Sequence, residues 1–563
     1  MGFDLRINGG TIIDGTGAER FTGDVGIRDG QIVALGEVSG SATETIDATG
    51  RIVSPGFVDI HTHYDAQILW DRMLTISPWH GVTTVVMGNC GFGVAPTRPE
   101  HRGLILRTLE KVEGMSLEAL QEGIGGEWPF ETFPEYLDAI EKAGSAINVG
   151  VLLGHTPLRM YVMGEESTER VATEEEVARM RELVDEAVTA GAVGFATSHA
   201  TTHVGFGGRP VPSRMADFNE IRELASVLGK LGKGILQATV GRDLFFDEFG
   251  QIAEETGRPV SWTALLAGMM GPGSHRALLA RSAELIEKGI PVYPQVTCRP
   301  LNFEFTFEEP FLFESMSVFK PVSAADFDGK MRIYADPEFR RSFIEKAGPN
   351  SEGNFGTRWD QTVISYCPSD SDLEERSLVE VAHERNLDPI ELMCDLSLEN
   401  RLQARFRMAV LNTDEDEVEE LLTDPNTVLG LSDAGAHASQ LCDACFSTFL
   451  LSRWVREKKV LSLEQAINML TEKPAKIFGL SDRGRLEVGR PADVVVFDPD
   501  EVGTSGLRRS SDLPAGAERL LADAFGIDAV VVNGSILRQA GRDRLDADGL
   551  LPGRLLRGGS AAA

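Results

Sequence analysis

Hydrophobic positions along this chain change their period twice. From Asp4 to Gly36 the runs DLRINGGTIIDG and DVGIRDGQIVALG are short and alternating, broken by Asn-Gly, Gly-Gly and Asp-Gly pairs. That turn chemistry joins antiparallel strands. The same style returns near the other end in GRLEVGRPADVVVFDPD and AVVVNGSILR. Short strands with a face to bury need partners, so residues 1–55 and 485–540 are predicted to form one composite β-sandwich domain.

Between the ends the pattern becomes one of buried runs and amphipathic stretches. GFVDIHTH, GVTTVVMGN, INVGVLLGH, AGAVGFATS, KGILQATVG, RPVSWTALL, IPVYPQVT and NTVLGLSDA are Val/Ile/Leu-rich, as parallel strands buried on both faces should be. TEEEVARMRELVDEAVTAG and FNEIRELASVLGKLG carry apolar residues at i, i+3 and i+4 and stop at glycine, which predicts helical crossovers. The alternation predicts an α/β fold, a TIM-like (β/α)8 barrel over residues 56–484. Two stretches, around 94–145 and 300–425, exceed ordinary connections and are expected to form lids or accessory helices near the C-terminal face. Residues 541–563, ending in GGSAAA, are expected to be a flexible tail.

Length and composition fit that picture. The 563 residues exceed the roughly 250 of a bare barrel. With 54 Lys+Arg against 86 Asp+Glu the formal charge is −32, a surface that repels phosphate backbones and anionic membranes. A small-molecule substrate is therefore expected, with no nucleic acid and no membrane partner; assembly as a homo-oligomer is left open. Cys90, Cys298, Cys367, Cys394, Cys442 and Cys445 are scattered, unlike a dense disulfide framework, and fit a reducing cytoplasm. The start MGFDLRINGG lacks a basic and then apolar leader, and no window approaches about 20 uninterrupted apolar residues.

In a barrel the C-terminal ends of the strands converge on one mouth, so the polar residues that end each strand are the candidates for chemistry. The first strand ends in His61 and His63, whose i, i+2 spacing sends both imidazoles to one side, as two ligands of one divalent metal require. The eighth ends in Ser432-Asp433, with His437 beyond; Asp433 is the candidate catalytic carboxylate, able to ligate a metal and move a proton. His155 ends strand three, and His199 and His203 follow strand four. Tyr293 and Arg299 are placed at the strand-seven mouth, where Arg299 suits a substrate carboxylate. Cys442 and Cys445 form a C-x-x-C, but no second pair accompanies them. Phe446, Phe449, Leu450 and Trp454 mark that run as a packed helix.

Taken together, PGFVDIHTHYDAQ, GVTTVVMGNCGFGVAP, LLGHTPLR, SDAGAH and GRLEVGRPADVVVFD resemble the amidohydrolase superfamily, and most of all its N-acyl-D-amino-acid deacylase (D-aminoacylase-like) branch, over most of residues 1–535. The resemblance implies a TIM-like barrel with a composite β-sandwich and zinc as the metal. It assigns His61, His63 and Asp433 to metal chemistry and Cys90 to a thiolate ligand. Gly88, Gly91 and Gly93 around Cys90 would let the backbone approach the metal closely.

The chain departs from that branch where two further histidines are expected. Strands five and six end in Gln237-Ala238-Thr239 and Trp262-Thr263-Ala264, and strand four ends in no lysine. Either His199 replaces a ligand, or a reduced set of His61, His63, Cys90 and Asp433 binds one ion, a second being uncertain, or the site is weakened and metal-poor. His155, His203, Tyr293 and Arg299 are assigned to substrate binding. After SDAGAH the branch carries an arginine for the substrate carboxylate, whereas this chain reads ASQLCDACF. The expected function is hydrolysis of an amide-type C–N bond of an N-acyl amino acid or related small amide by metal-activated water. The alternatives are a cyclic amide, urea, carbamate or ester hydrolase on the same scaffold, and a non-catalytic amidohydrolase-like scaffold.

Overall fold

The opening alternation forms β1 (Phe3–Ile12), β2 (Phe21–Arg28), β3 (Gln31–Gly36), β4 (Ala42–Asp47) and β5 (Ile52–Pro55) in the computed structural model, which describes residues 2–347 and 358–560. The chain then enters β6 (Phe57–Asp59) and β7 (Val82–Met87). Three helices follow, α1 (Arg102–Glu113), α2 (Leu117–Ile124) and α3 (Phe133–Ala143). A regular alternation comes next: β8 (Asn148–Gly154), α4 (His155–Met163), α5 (Glu174–Ala190), β9 (Gly194–Ser198), α6 (Phe218–Leu231) and β10 (Ile235–Thr239). It continues through α7 (Phe246–Thr256), β11 (Val260–Thr263), α8 (His275–Glu287) and β12 (Val292–Val296).

Local signals set the crossover helices. Thr173 caps α5 through a capping box with Glu176, three glutamates occupy its first turn, and Gly191 follows its end. Asp217 caps α6 by accepting from the Glu220 N–H, and Gly232 ends it in the left-handed region. Both helices fall where the apolar spacing puts them.

After β12 the chain leaves the barrel for an antiparallel sheet of β13 (Leu301–Thr306), β14 (Thr362–Tyr366), β15 (Arg376–Ser377) and β16 (Arg405–Leu411), in the order β13-β16-β14-β15. This insertion has its own core around Phe305, Phe307, Phe319, Phe343 and Phe406. The 300–425 stretch is thus more than the lid or accessory helices expected of it: LNFEFT and RFRMAVL pair as strands because each has an apolar side to bury. Residues 348–357 of that stretch lie outside the described residues.

The chain returns through β17 (Val428–Leu429), the last of eight strands ordered β17-β12-β11-β10-β9-β8-β7-β6. Every described pairing along this path is parallel. A parallel bridge between Thr62 and Ala434, just beyond β6 and β17, joins its two edges into a TIM-like barrel. Finally β18 (Val494–Phe497), β19 (Ile527–Val532), β20 (Ser535–Gln539) and β21 (Arg542–Asp543) pair with the N-terminal strands. The resulting nine-stranded sheet runs β21-β20-β19-β18-β5-β1-β2-β3, with β4 on β1.

Part of the segment expected to be a flexible tail packs against the barrel. Leu551, Leu555 and Leu556 are buried, the Leu556 N–H donates to Val149 O at 2.8 Å, and the Gly553 N–H donates to Ser145 O at 2.8 Å. LLPGRLL supplies apolar side chains that cover the start of β8, which outweighs the entropy of a free end. No helix among the described residues is long and apolar enough to cross a membrane.

Candidate metal centre

Barrel closure itself brings the two ends of the predicted site together. The His63 N–H donates to Ala434 O at 2.7 Å and the Asp433 N–H to His61 O at 3.2 Å. Ser432 Oγ donates to the same His61 carbonyl at 3.0 Å. Cys90 arrives on a tight turn after β7, with φ of 87° at Gly88, 55° at Cys90 and 72° at Gly91. A Cβ on Gly91 would lie 2.9 Å from Thr197 Cα, so only glycine lets this turn lie against β9. The Cys90 N–H is held by Gln237 Oε1 at 2.7 Å.

One ligand atom each from His61, His63 and Cys90 lies within 4.8 Å of the others, and all three residues are buried. Cys90 Sγ stands 3.4 Å from His61 Nε2. Asp433 Oδ1 is 3.2 Å from His61 Nε2 and 3.8 Å from His63 Nε2, and its side chain is 23% exposed, so it faces the opening. Gln295 Oε1 accepts from His61 Nδ1 at 2.7 Å and its amide donates to Ser261 Oγ at 3.0 Å. This leaves the Nε2 lone pair of His61 directed at the cluster.

The electrostatics suit a cation. Burial opposes ionisation of Cys90, but the charge of His61 and hydrogen bonds from His61 and His63 outweigh it and bring the thiol down to about 6. Burial disfavours charge on His61 and His63 too, yet Cys90 for the first and Glu113 for the second raise both imidazoles above their ordinary value. Two imidazoles and a thiolate are a donor set that zinc accepts, and a dication satisfies the same lone pairs that protons otherwise hold. Beneath them, burial raises Asp59 to about 7 while it accepts the His61 N–H at 3.2 Å.

The other predicted residues divide sharply. His203 belongs to the mouth: its Nδ1 lies 2.7 Å from Ser198 Oγ and its ring 5.0 Å from Phe92, which packs 6.4 Å from His63. Burial, with His437 and His63 nearby, pulls it down to about 3, so it is a neutral imidazole.

The structure does not bring His199 to the cluster of His61, His63 and Cys90. Ala196 and Ser198 point one way along β9 and Thr197 and His199 the other, by the two-residue period of a strand. Its surroundings are His155, Asp243 and Glu220, and its buried Nε2 has no hydrogen-bond partner among the described residues. His155 is withdrawn from substrate as well, being fully buried between Thr197 Oγ1 and Glu220 Oε1, each at 2.8 Å. Arg159 pairs with the same Glu220.

Tyr293 and Arg299 are likewise placed apart from the cluster. Tyr293 stands near the start of β12 and packs against an apolar cluster that includes Val193, Ile235 and Val428, at the end of the barrel away from the mouth. Arg299 is buried, with Nε 2.7 Å from Asp443 Oδ1 and its guanidinium 4.8 Å from the centre of the Phe449 ring. A charge neutralised inside the fold is not available to substrate.

Several contacts around the cluster have no sequence signal of their own. Gln237, Thr239 and Thr263 occupy the ends of β10 and β11, where the resemblance led us to expect histidines. They form a neutral chain, Gln237 Nε2 to Thr263 Oγ1 at 3.5 Å and Thr263 Oγ1 to Thr239 Oγ1 at 3.2 Å. Glu113, from the insertion helix α1, reaches to 3.2 Å from His63 Nδ1. Arg214 donates to the His203 carbonyl at 2.9 Å and has no carboxylate partner among the described residues. Burial pulls its guanidinium below the ordinary value.

Comparison with known proteins gives a consistent picture. A model of the amidohydrolase family matches residues 44–537. The D-aminoacylase of Alcaligenes xylosoxydans xylosoxydans is 30% identical over 539 residues, 95% of this chain and 94% of that one. The N-acyl-D-glutamate deacylase of the same organism is 29% identical, over 98% and 96% of the two chains. The crystal structure of N-acyl-D-glutamate deacylase from Bordetella bronchiseptica, complexed with zinc and a phosphonate mimic of the tetrahedral intermediate, superposes with a TM-score of 0.68 at 27% identity. It covers 99% of this chain and 100% of that one.

Proposed function

This chain belongs to the amidohydrolase family, and from that membership we propose that it hydrolyses the acyl–nitrogen bond of N-acyl amino acids with one zinc ion held by His61, His63 and Cys90. The observation that carries the reading is the position of Asp433, whose Oδ1 faces Nε2 of both histidines from the open side of the cluster. Two relatives of similar length are named for deacylation of D-amino acids or D-glutamate, and a structural relative holds zinc with a tetrahedral mimic.

Zinc in such a donor set supplies Lewis acidity toward the amide carbonyl and lets a water ionise near neutral pH. Asp433 Oδ1 takes the proton of the attacking water and later delivers it to the leaving nitrogen. The carbonyl carbon thereby gains an oxygen as the C–N bond breaks, and a carboxylic acid and an amine are released. Gln295 keeps His61 in one tautomer, and Gln237 fixes the turn that presents Cys90. Neutral His203 offers a hydrogen bond at the mouth without adding charge. We assign the substrate carboxylate to Arg214, which holds the His203 carbonyl and has no carboxylate partner among the described residues, rather than to Arg299.

One ion follows from the donors, because the neutral Gln237, Thr239 and Thr263 chain stands where a second histidine pair would be needed. We further read the nine-stranded sheet, with a core that includes Ile7, Val25, Ile27, Val494 and Val496, as the composite sandwich domain of residues 1–55 and 485–540 beside the barrel of 56–484. All six cysteines are free, which supports a reducing cytoplasm as the setting.

The deciding experiment measures zinc content and turnover on N-acyl-D- and N-acyl-L-amino acids, beside cyclic amides and esters. We expect stoichiometric zinc, release of free amino acid, and loss of turnover on chelation and in Asp433→Asn. Turnover untouched by both treatments would refute the reading.

A further inference from the structure

The two histidines of the centre are held by different kinds of group from different parts of the chain. His61 gives Nδ1 to the neutral amide of Gln295, on barrel strand β12. His63 turns Nδ1 toward the carboxylate of Glu113, which is the last residue of α1 and thus part of the 94–145 insertion rather than of the barrel. The distance is 3.2 Å, and the two side chains are only 6% and 8% exposed. Nδ1 has no aligned hydrogen-bond partner among the described residues, so Glu113 Oε1 is the acceptor within reach of a small ring rotation.

The end of α1 is also fastened to the other side of the centre. The Ala438 N–H donates to the Glu113 carbonyl at 3.3 Å, and Ser439 Oγ donates to the Gly114 carbonyl at 3.1 Å. Gly114 turns the chain in the left-handed region, with φ of 60°, and a Cβ there would meet His437 Cα at 3.2 Å. Behind this junction a small cavity is lined by His63, Asp65, Leu109, Glu113, Met115 and Gly435 among others. The insertion thus touches His63 through one side chain and the loop after Asp433 through two carbonyls.

We propose that Glu113 is a positioning residue for His63, fixing the Nδ1–H tautomer so that Nε2 faces the metal, and that through it the docking of α1 and α2 is coupled to metal loading. The proposal rests on the reading of His61, His63 and Cys90 as a zinc centre. A carboxylate behind a ligating imidazole orients the ring and strengthens it as a ligand. A metal on Nε2 in turn secures the proton on Nδ1 that Glu113 accepts, and coupling of two binding events is reciprocal. An unpartnered buried carboxylate is costly, so loss of the imidazole partner weakens the seat of α1.

The test uses the full chain and reads zinc binding and chain accessibility rather than turnover. Zinc affinity is measured by chelator competition for the wild type, Glu113→Gln, Glu113→Ala and the exposed control Lys111→Gln. Limited proteolysis follows cleavage within residues 100–125 with and without zinc. We expect Glu113→Gln to weaken zinc binding about 10–100-fold, zinc to slow cleavage of the segment in the wild type, and that protection to shrink in the variant while Lys111→Gln keeps both. If Glu113→Ala fails to fold, the near-isosteric Glu113→Gln decides. A folded Glu113→Gln that holds zinc as tightly as the wild type, or cleavage in the wild type that ignores zinc, overturns the proposal and leaves the metal centre standing. A wild type that binds no zinc overturns both.

Discussion

His61 presents Nδ1 to the side-chain oxygen of Gln295 at 2.7 Å, and the same ring thereby turns Nε2 toward Cys90 and Asp433. Gln295→Leu removes the acceptor without adding charge. Zinc affinity should fall about 10–100-fold, the range for loss of a group that orients a ligating histidine. Elemental analysis after dialysis against graded chelator checks this; Gln295→Glu, which keeps an acceptor, should retain the ion.

Asp433 sits beside the ligand atoms but is partly open to solvent, which suits proton transfer. Asp433→Asn keeps the shape and removes the base, so turnover should drop by about 100- to 10,000-fold. The protein should keep its fold and its zinc. Stopped-time assays of amine release alongside metal content separate loss of chemistry from loss of the ion.

Cys90 in metal-free protein should be an unusually acidic thiol. Its value of about 6 lies below the ordinary one because the charges and hydrogen bonds of His61 and His63 outweigh burial. The thiolate is the reactive form, so alkylation should be fast above pH 6 and fall as pH drops through it. Zinc should block the reaction. Mass spectrometry of iodoacetamide-treated protein across pH 4.5–8, with and without zinc, reads both effects.

Glu220, on α6, ties that helix to His155 and Arg159 of α4. Burial raises its pKa, but the hydrogen bond and charge of His155 and the charge of Arg159 outweigh this and hold it at about 2. A carboxylate held below its unfolded value of about 4.3 stabilises fully above that pH and loses its contribution as pH falls toward 2. Glu220→Ala leaves Arg159 buried and unpaired and should cost about 3–5 kcal/mol. Denaturant titration at pH 7 and pH 3 should show the gap between variant and wild type narrowing in acid.

The two arginines should behave oppositely. Arg299→Met breaks a buried pair with Asp443 and should destabilise by about 3–5 kcal/mol while leaving KM unchanged in the folded fraction. Arg214→Gln should leave stability within about 0.5 kcal/mol and raise KM for N-acyl amino acids. It should leave KM unchanged for substrates whose carboxylate is replaced by an amide.

Local pattern carried a large part of this protein. Period-two runs and turn pairs marked the strands of both chain ends, apolar runs marked the eight barrel strands, and apolar spacing with a terminal glycine placed α5 and α6 within a residue or two. That His61, His63 and Asp433 come together was legible because strand ends in a barrel share one mouth, and the flanking glycines of Cys90 pointed to a tight approach. Each of these signals is local and survives without knowledge of distant neighbours.

Tertiary structure decided what local pattern cannot carry. His199 and Ser198 are adjacent, yet strand parity sends one into the wall of the barrel and the other to the mouth. Arg299 reads as a free guanidinium until Asp443, far along the chain, folds beside it. Glu113 looks like any helix-ending glutamate until α1 lies over the barrel and brings it to His63. The tail reads as a loose end until its leucines find the start of β8. Sequence fixes which groups are present and the face of an element each occupies; the partner of a buried charge is set by the closing of the fold, because desolvation makes every such group depend on whatever the rest of the chain brings to it.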